Sequence, residues 1–131
     1  MRSQVLFAAL VIAAVAGPAA AAQAETFDLV CTGQTVDAAG VSTPFDTRLS
    51  VDLTGKHWCD RQVGCPYVFP VLARRGEKLQ LLAVKTPLNE AVFDVNLKTG
   101  AFTRNTRIPD RPNSPTAAKG LCKPASFTPF G

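Results

Sequence analysis

The chain alternates apolar and polar residues in short bursts. Phe27, Leu29 and Cys31 are separated by Asp28 and Val30, and Phe45, Thr47, Leu49, Val51 and Leu53 by Asp46, Arg48, Ser50 and Asp52. A two-residue period sends successive side chains to opposite faces of a pleated strand, so each stretch is predicted as a strand, the second with one buried and one wet face. The acidic residues are expected on wet faces or in turns. Leu79–Val84 is a short, nearly continuous apolar run, and in Ala91–Leu97 the residues Phe93, Val95 and Leu97 alternate with Val92, Asp94 and Asn96. Lys98-Thr99-Gly100 reads as a tight turn into a strand over Ala101–Ile108, because Gly100 accepts the positive φ such a turn needs.

Between these runs lie the breakers. Thr32–Pro44 is predicted as a polar loop or irregular hairpin, and residues 109–120, rich in Pro and polar side chains, as a loop returning to Leu121-Cys122. Pro66–Leu72 is apolar and aromatic, but its two prolines confine it to an edge or an irregular run. Phe127 and Phe130 are expected to cover an open end. The pattern predicts an all-β fold, an antiparallel meander of roughly six to seven strands closing into a small barrel or sandwich, stapled by two disulfides.

The first residues read differently. Arg2 precedes an unbroken apolar run from Val5 to Ala16, then Gly17-Pro18, then the small-residue sites Ala20-Ala21-Ala22 and Ala22-Gln23-Ala24. This is the order of a cleavable secretory signal. The run is shorter than the roughly 17–25 residues that span a bilayer. Residues 1–24 are therefore predicted as a signal peptide, cleaved after Ala24 or Ala22, and residues 25–131 as one exported domain without a transmembrane segment. The expected location is periplasmic or secreted.

The net charge is +4, one unit of it from Arg2 in the leader, and the basic residues are interspersed rather than gathered in a stripe. No nucleic-acid partner is expected from such a pattern. The four cysteines, Cys31, Cys59, Cys65 and Cys122, all follow the leader. An even count in a small exported domain reads as two disulfides, with three pairings open. We expect Cys59–Cys65, bracketing a turn at Gly64, and Cys31–Cys122, tying the two ends together. On chain-entropy grounds they contribute about 2.4 and about 4.6 kcal/mol. A zinc site is disfavoured by the absence of a C-x-x-C pair, and no metal or other cofactor is expected.

Few residues suggest chemistry. His57 is the single histidine. A hydrolase would need Ser50 or Ser42 beside it, and neither serine lies in a G-x-S-x-G turn. Trp58, next to Cys59, is either a stacking platform or a side chain packed on the adjacent disulfide, and we expect the latter. Arg48, Arg104 and Arg107, with Arg111, are candidates with Trp58 for a basic binding patch facing an anionic envelope polymer or an acidic protein. Arg104 shares strand parity with Phe102 and Ile108, which sends it toward the core side unless the strand bulges.

The opening Phe27-Asp28-Leu29-Val30-Cys31-Thr32-Gly33, the central Val51-Asp52-Leu53 with Trp58-Cys59 and Cys65, and the ending Gly120-Leu121-Cys122-Lys123-Pro124 with Phe127 resemble a family of small secreted alphaproteobacterial proteins. The resemblance implies a periplasmic domain with this four-cysteine framework and no particular catalysis. The functional expectation is a monomeric, non-enzymatic binding or accessory module of the cell envelope, with an envelope protein or glycan as partner. The alternatives are a barrel carrying a small apolar ligand and a hydrolase using His57.

Overall fold

The computed structural model describes residues 25–131, so the leader predicted over residues 1–24 lies outside the described residues. Nine strands follow one another: β1 (Thr26–Val36), β2 (Ser42–Asp52), β3 (His57–Asp60), β4 (Phe69–Pro70), β5 (Ala73–Arg75), β6 (Lys78–Lys85), β7 (Glu90–Asn96), β8 (Ala101–Arg107) and β9 (Thr116–Ala125). A single 3-10 turn, Arg61–Val63, follows β3. The strands form one antiparallel sheet in the order β4-β3-β2-β1-β9-β8-β7-β6-β5, curled into a half-barrel. The two meanders, β1–β4 and β5–β9, join where β1 pairs with β9.

The outermost strands are drawn together by the chain itself, because only Val71 and Leu72 separate β4 from β5. The Val71 N–H donates to the Lys56 carbonyl at 2.9 Å, beside β3, and the Leu72 N–H to the Gln80 carbonyl of β6 at 3.0 Å. The run 69–75 thus leaves one side of the opening and arrives at the other. Pro70, within this run, fits the edge position because a proline has no N–H to donate to a ladder. Trp58 bridges the same opening, its indole N–H donating to the Leu81 carbonyl at 2.9 Å, where β6 bulges between Gln80 and Leu82.

The alternating pattern decides what fills the interior. Phe27, Leu29 and Cys31 of β1, Leu49 and Val51 of β2, Leu79 and Leu81 of β6, Phe93 and Val95 of β7 and Phe102 of β8 form one buried cluster. Burying each of the larger side chains contributes about 1.5–3 kcal/mol. Both expected disulfides are present. Cys31 and Cys122 are direct cross-strand partners on β1 and β9, with Cα atoms 3.9 Å apart. Two residues further along the same pair, Gly33 faces Gly120. A Cβ on Gly33 would lie 2.0 Å from the Lys119 carbonyl oxygen, and one on Gly120 2.0 Å from that of Thr32.

Several expectations need correction. The first hairpin is longer than its sequence suggested: Gln34 and Thr35 stay in β1 and Thr43 and Pro44 in β2, their polarity allowed because both faces there meet solvent. The loop at 109–120 ends at Ser114-Pro115, since Thr116–Gly120 already pair with β8 and β1. Asp28, expected on a wet face, is fully buried. The segment 126–131 that covers it crosses the outer face of β1 and β2 instead of closing a barrel end.

Candidate functional site

A short turn leads into an exposed apolar stretch. Asp60 ends β3 and caps the 3-10 turn, its carboxylate accepting the Gln62 N–H at 3.0 Å. Gly64 then takes φ +81°, and the Cys59–Cys65 disulfide pins the turn back on β3 with Cα atoms 5.2 Å apart. The chain leaves this staple into Tyr67, Val68, Phe69 and Leu72, all exposed, Tyr67 at 69%. The patch is rooted in the core. Tyr67 lies 6.4 Å from Phe69, Phe69 5.1 Å from Trp58, Trp58 6.2 Å from Phe93 and Phe93 6.0 Å from Phe102. Aromatic pairs at these separations hold one another's orientation, so the surface rings are fixed from within.

Trp58 itself is buried and points inward. It does not pack on the neighbouring disulfide, because Cys59 alternates to the opposite face of β3. Nor does the structure gather Trp58, Arg48, Arg104 and Arg107 into one patch. Arg104 follows its parity into the barrel, 3.9 Å from the Asp60 carboxylate and with its guanidinium 5.6 Å and 5.9 Å from the Phe93 and Phe45 ring centres. Thr47 donates to the same Asp60 carboxylate at 2.7 Å. Arg107 is exposed at the end of β8, paired in register with Glu90. Arg111 lies beyond it in the following loop.

Arg48 belongs to a polar cluster on the outer face. Its Nε donates to Asp28 at 2.7 Å. Asp28 also accepts the Thr128 N–H at 3.0 Å and the Thr128 hydroxyl at 2.6 Å. Arg61, delivered by the stapled turn, donates to Ser50 Oγ at 2.8 Å, to the Thr128 carbonyl at 2.7 Å and to the Pro129 carbonyl. Burial alone would raise the Asp28 pKa. The Thr128 hydroxyl and N–H, the Ser50 hydroxyl and the Arg48 guanidinium outweigh it and hold the carboxyl below its ordinary value.

No protein-family model, curated protein or solved structure matches the chain. The reading of function therefore rests on the residues.

The hydrolytic arrangement is not assembled. His57 is exposed, Ser42 donates to Gln34, and Ser50 is engaged by Arg61 and Asp28. Among the described residues no group of three His, Cys, Asp or Glu side chains is placed to hold a metal ion, and no helix is long and apolar enough to cross a membrane. A cleft of about 650 Å³ is lined by Phe27, Leu29, Val95 and Cys122 among others. The Lys98–Glu77 ion pair, 3.8 Å, spans its rim. The expectation from sequence missed Arg61 and Thr128, which carry the outer cluster. The Asp at 28 between Phe27 and Leu29 was the available signal, since a fully buried carboxylate needs several donors and neither neighbouring side chain supplies one.

Proposed function

We propose that this chain is a non-enzymatic binding module of the cell envelope, acting after export in the periplasm or outside the cell, and that it docks an envelope protein through Tyr67, Val68, Phe69 and Leu72. The observation that carries the reading is this exposed apolar stretch, led in by the Cys59–Cys65 staple and backed at Phe69 by Trp58. Exposed aromatic side chains held rigidly lose little entropy on binding, and Tyr and Phe are enriched at protein interfaces. The test compares the wild-type domain with Tyr67→Ser/Val68→Ser as immobilised baits for envelope extract. A protein retained by the wild type and released at least tenfold by the double variant supports the reading. Equal retention by both, or retention of glycan alone, overturns it.

The carrier reading has one observation of its own, the cleft lined by Phe27, Leu29, Val95 and Cys122 among others. Its volume falls in the range of small-ligand sites. Saturable uptake of a fluorescent fatty acid, blocked by Thr99→Trp at the rim, is the result this reading expects. Uptake unchanged by that substitution counts against it.

A further inference from the structure

The segment after β9 is tied to the sheet by side-chain hydrogen bonds. Phe127 and Phe130, both half-buried, also meet each other edge to face, 5.6 Å apart. The bonds to the body are polar and come from three side chains. Asp28 takes both the N–H and the hydroxyl of Thr128. Arg61 takes the carbonyls of Thr128 and Pro129, and Arg48 that of Ser126 at 3.3 Å. Main-chain carbonyls bound by guanidinium groups fix an extended backbone. A carboxylate that accepts N–H and Oγ from the same residue selects a hydroxyl-bearing side chain. This is the chemistry of peptide recognition, and the receptor half is built in advance. Arg61 is aimed by the Cys59–Cys65 turn and by Ser50, Arg48 by its own ion pair with Asp28, and all sit on strands or on a stapled turn.

We propose that Asp28, Arg48 and Arg61 form a peptide-binding cradle for an extended Ser-Phe-Thr-Pro-Phe segment, filled in cis by residues 126–130, and that it also takes this segment from a second copy of the chain. The cradle is separate from the apolar run at Tyr67–Leu72 and stands or falls independently of it. Exchange is inexpensive because leaving the cradle breaks hydrogen bonds that a second copy restores one for one, which is the condition for swapped association. The cis segment acts at an effective concentration on the order of millimolar, so wild-type chains remain self-filled in dilute solution.

The experiment uses full-length chains and a fluorescein-labelled Ser-Phe-Thr-Pro-Phe-Gly peptide read by anisotropy. In Thr128→Ala the cis ligand is crippled while the cradle is intact. In Asp28→Asn the cradle is crippled while the segment is intact. We expect the peptide to bind Thr128→Ala at least tenfold more tightly than wild type, and Asp28→Asn no better than wild type. A peptide with Ala for Thr should lose at least tenfold on the Thr128→Ala chain. Mixing the two variants should give a heterodimer by native mass spectrometry that neither gives alone. Fluorescence of Trp58, the single tryptophan, reports folding in each sample. Should Asp28→Asn fail to fold, Arg61→Gln replaces it with the same expected outcomes. Equal peptide affinity for Thr128→Ala and for the cradle variant, or indifference to the peptide's threonine, overturns the proposal. So does a mixture that stays monomeric at millimolar concentration.

Discussion

A single carboxylate shows how much one residue organises here. Asp28 occupies a position whose period marks it as outward, yet it is fully buried because the segment after β9 folds over it. Its low pKa makes the contribution pH-dependent with a definite sign. A carboxyl whose folded pKa is depressed stabilises the fold above its ordinary value near 3.8, and the stabilisation fades as pH falls toward the folded pKa. Asp28→Asn should cost about 1.5–3 kcal/mol at pH 7, the range for hydrogen bonds to a charged group. In thermal melts from pH 7 to pH 2, the gap in Tm between wild type and variant should stay constant above about pH 5 and narrow below pH 4. A gap that stays constant to pH 2 would show that the charge of Asp28 adds nothing.

Among the elements, the β1–β9 pair bears the tightest constraint. Cys31 opposite Cys122 and Gly33 opposite Gly120 put a disulfide and a glycine pair on one face of the same ladder. The glycines are needed for space, since the modest side chain of alanine already collides with backbone at 2.0 Å on either strand. Neither atom is the end of a flexible side chain that can swing aside. Gly120→Ala should therefore destabilise the domain by about 3 kcal/mol, the upper part of the usual overpacking range, as measured by urea denaturation. Gly40, whose added Cβ meets nothing within 4 Å but whose φ is +80°, offers a control in which only backbone strain is introduced. Gly120→Ala falling no further than Gly40→Ala would refute the steric account. The β7–β8 turn works to the same end: Asn96 caps Lys98 and Thr99, and the Gly100 carbonyl accepts the Cys122 N–H at 2.7 Å, locking the hairpin against the disulfide.

At the scale of the whole molecule, the two disulfides have unequal tasks. Cys31–Cys122 spans a sequence separation of 91 and closes the join between the two meanders, whereas Cys59–Cys65 spans 6 and shapes one turn. Because the entropy removed from the unfolded chain grows with the loop, Cys31→Ala/Cys122→Ala should lose about 2 kcal/mol more than Cys59→Ala/Cys65→Ala in chemical denaturation. The short staple should matter elsewhere, because it aims Arg61 and presents Tyr67. Its loss should weaken binding at both surfaces while leaving most of the stability in place. An equal loss of stability in the two double variants would contradict the chain-entropy account.

The sequence by itself determined the all-β class, the alternation of the longer strands, the turn at Lys98-Thr99-Gly100, and a cysteine set ready for two disulfides. These follow from local causes: a two-residue period and a glycine able to take positive φ. It also placed Arg104 on the inward side by parity alone. Only the tertiary structure decided which face of β3 holds Trp58 and which holds Cys59, because one register step reverses every side chain on so short a strand. It likewise decided that Arg48 and Arg104 stand on opposite faces of the sheet, and that the run 69–75 draws β3 and β6 together. Above all, it brought Thr128 to Asp28, one hundred residues apart in the chain, and Arg61 to Thr128. No periodicity records a contact of that range, since its partners are chosen by how the sheet curls and where the chain goes after its last strand.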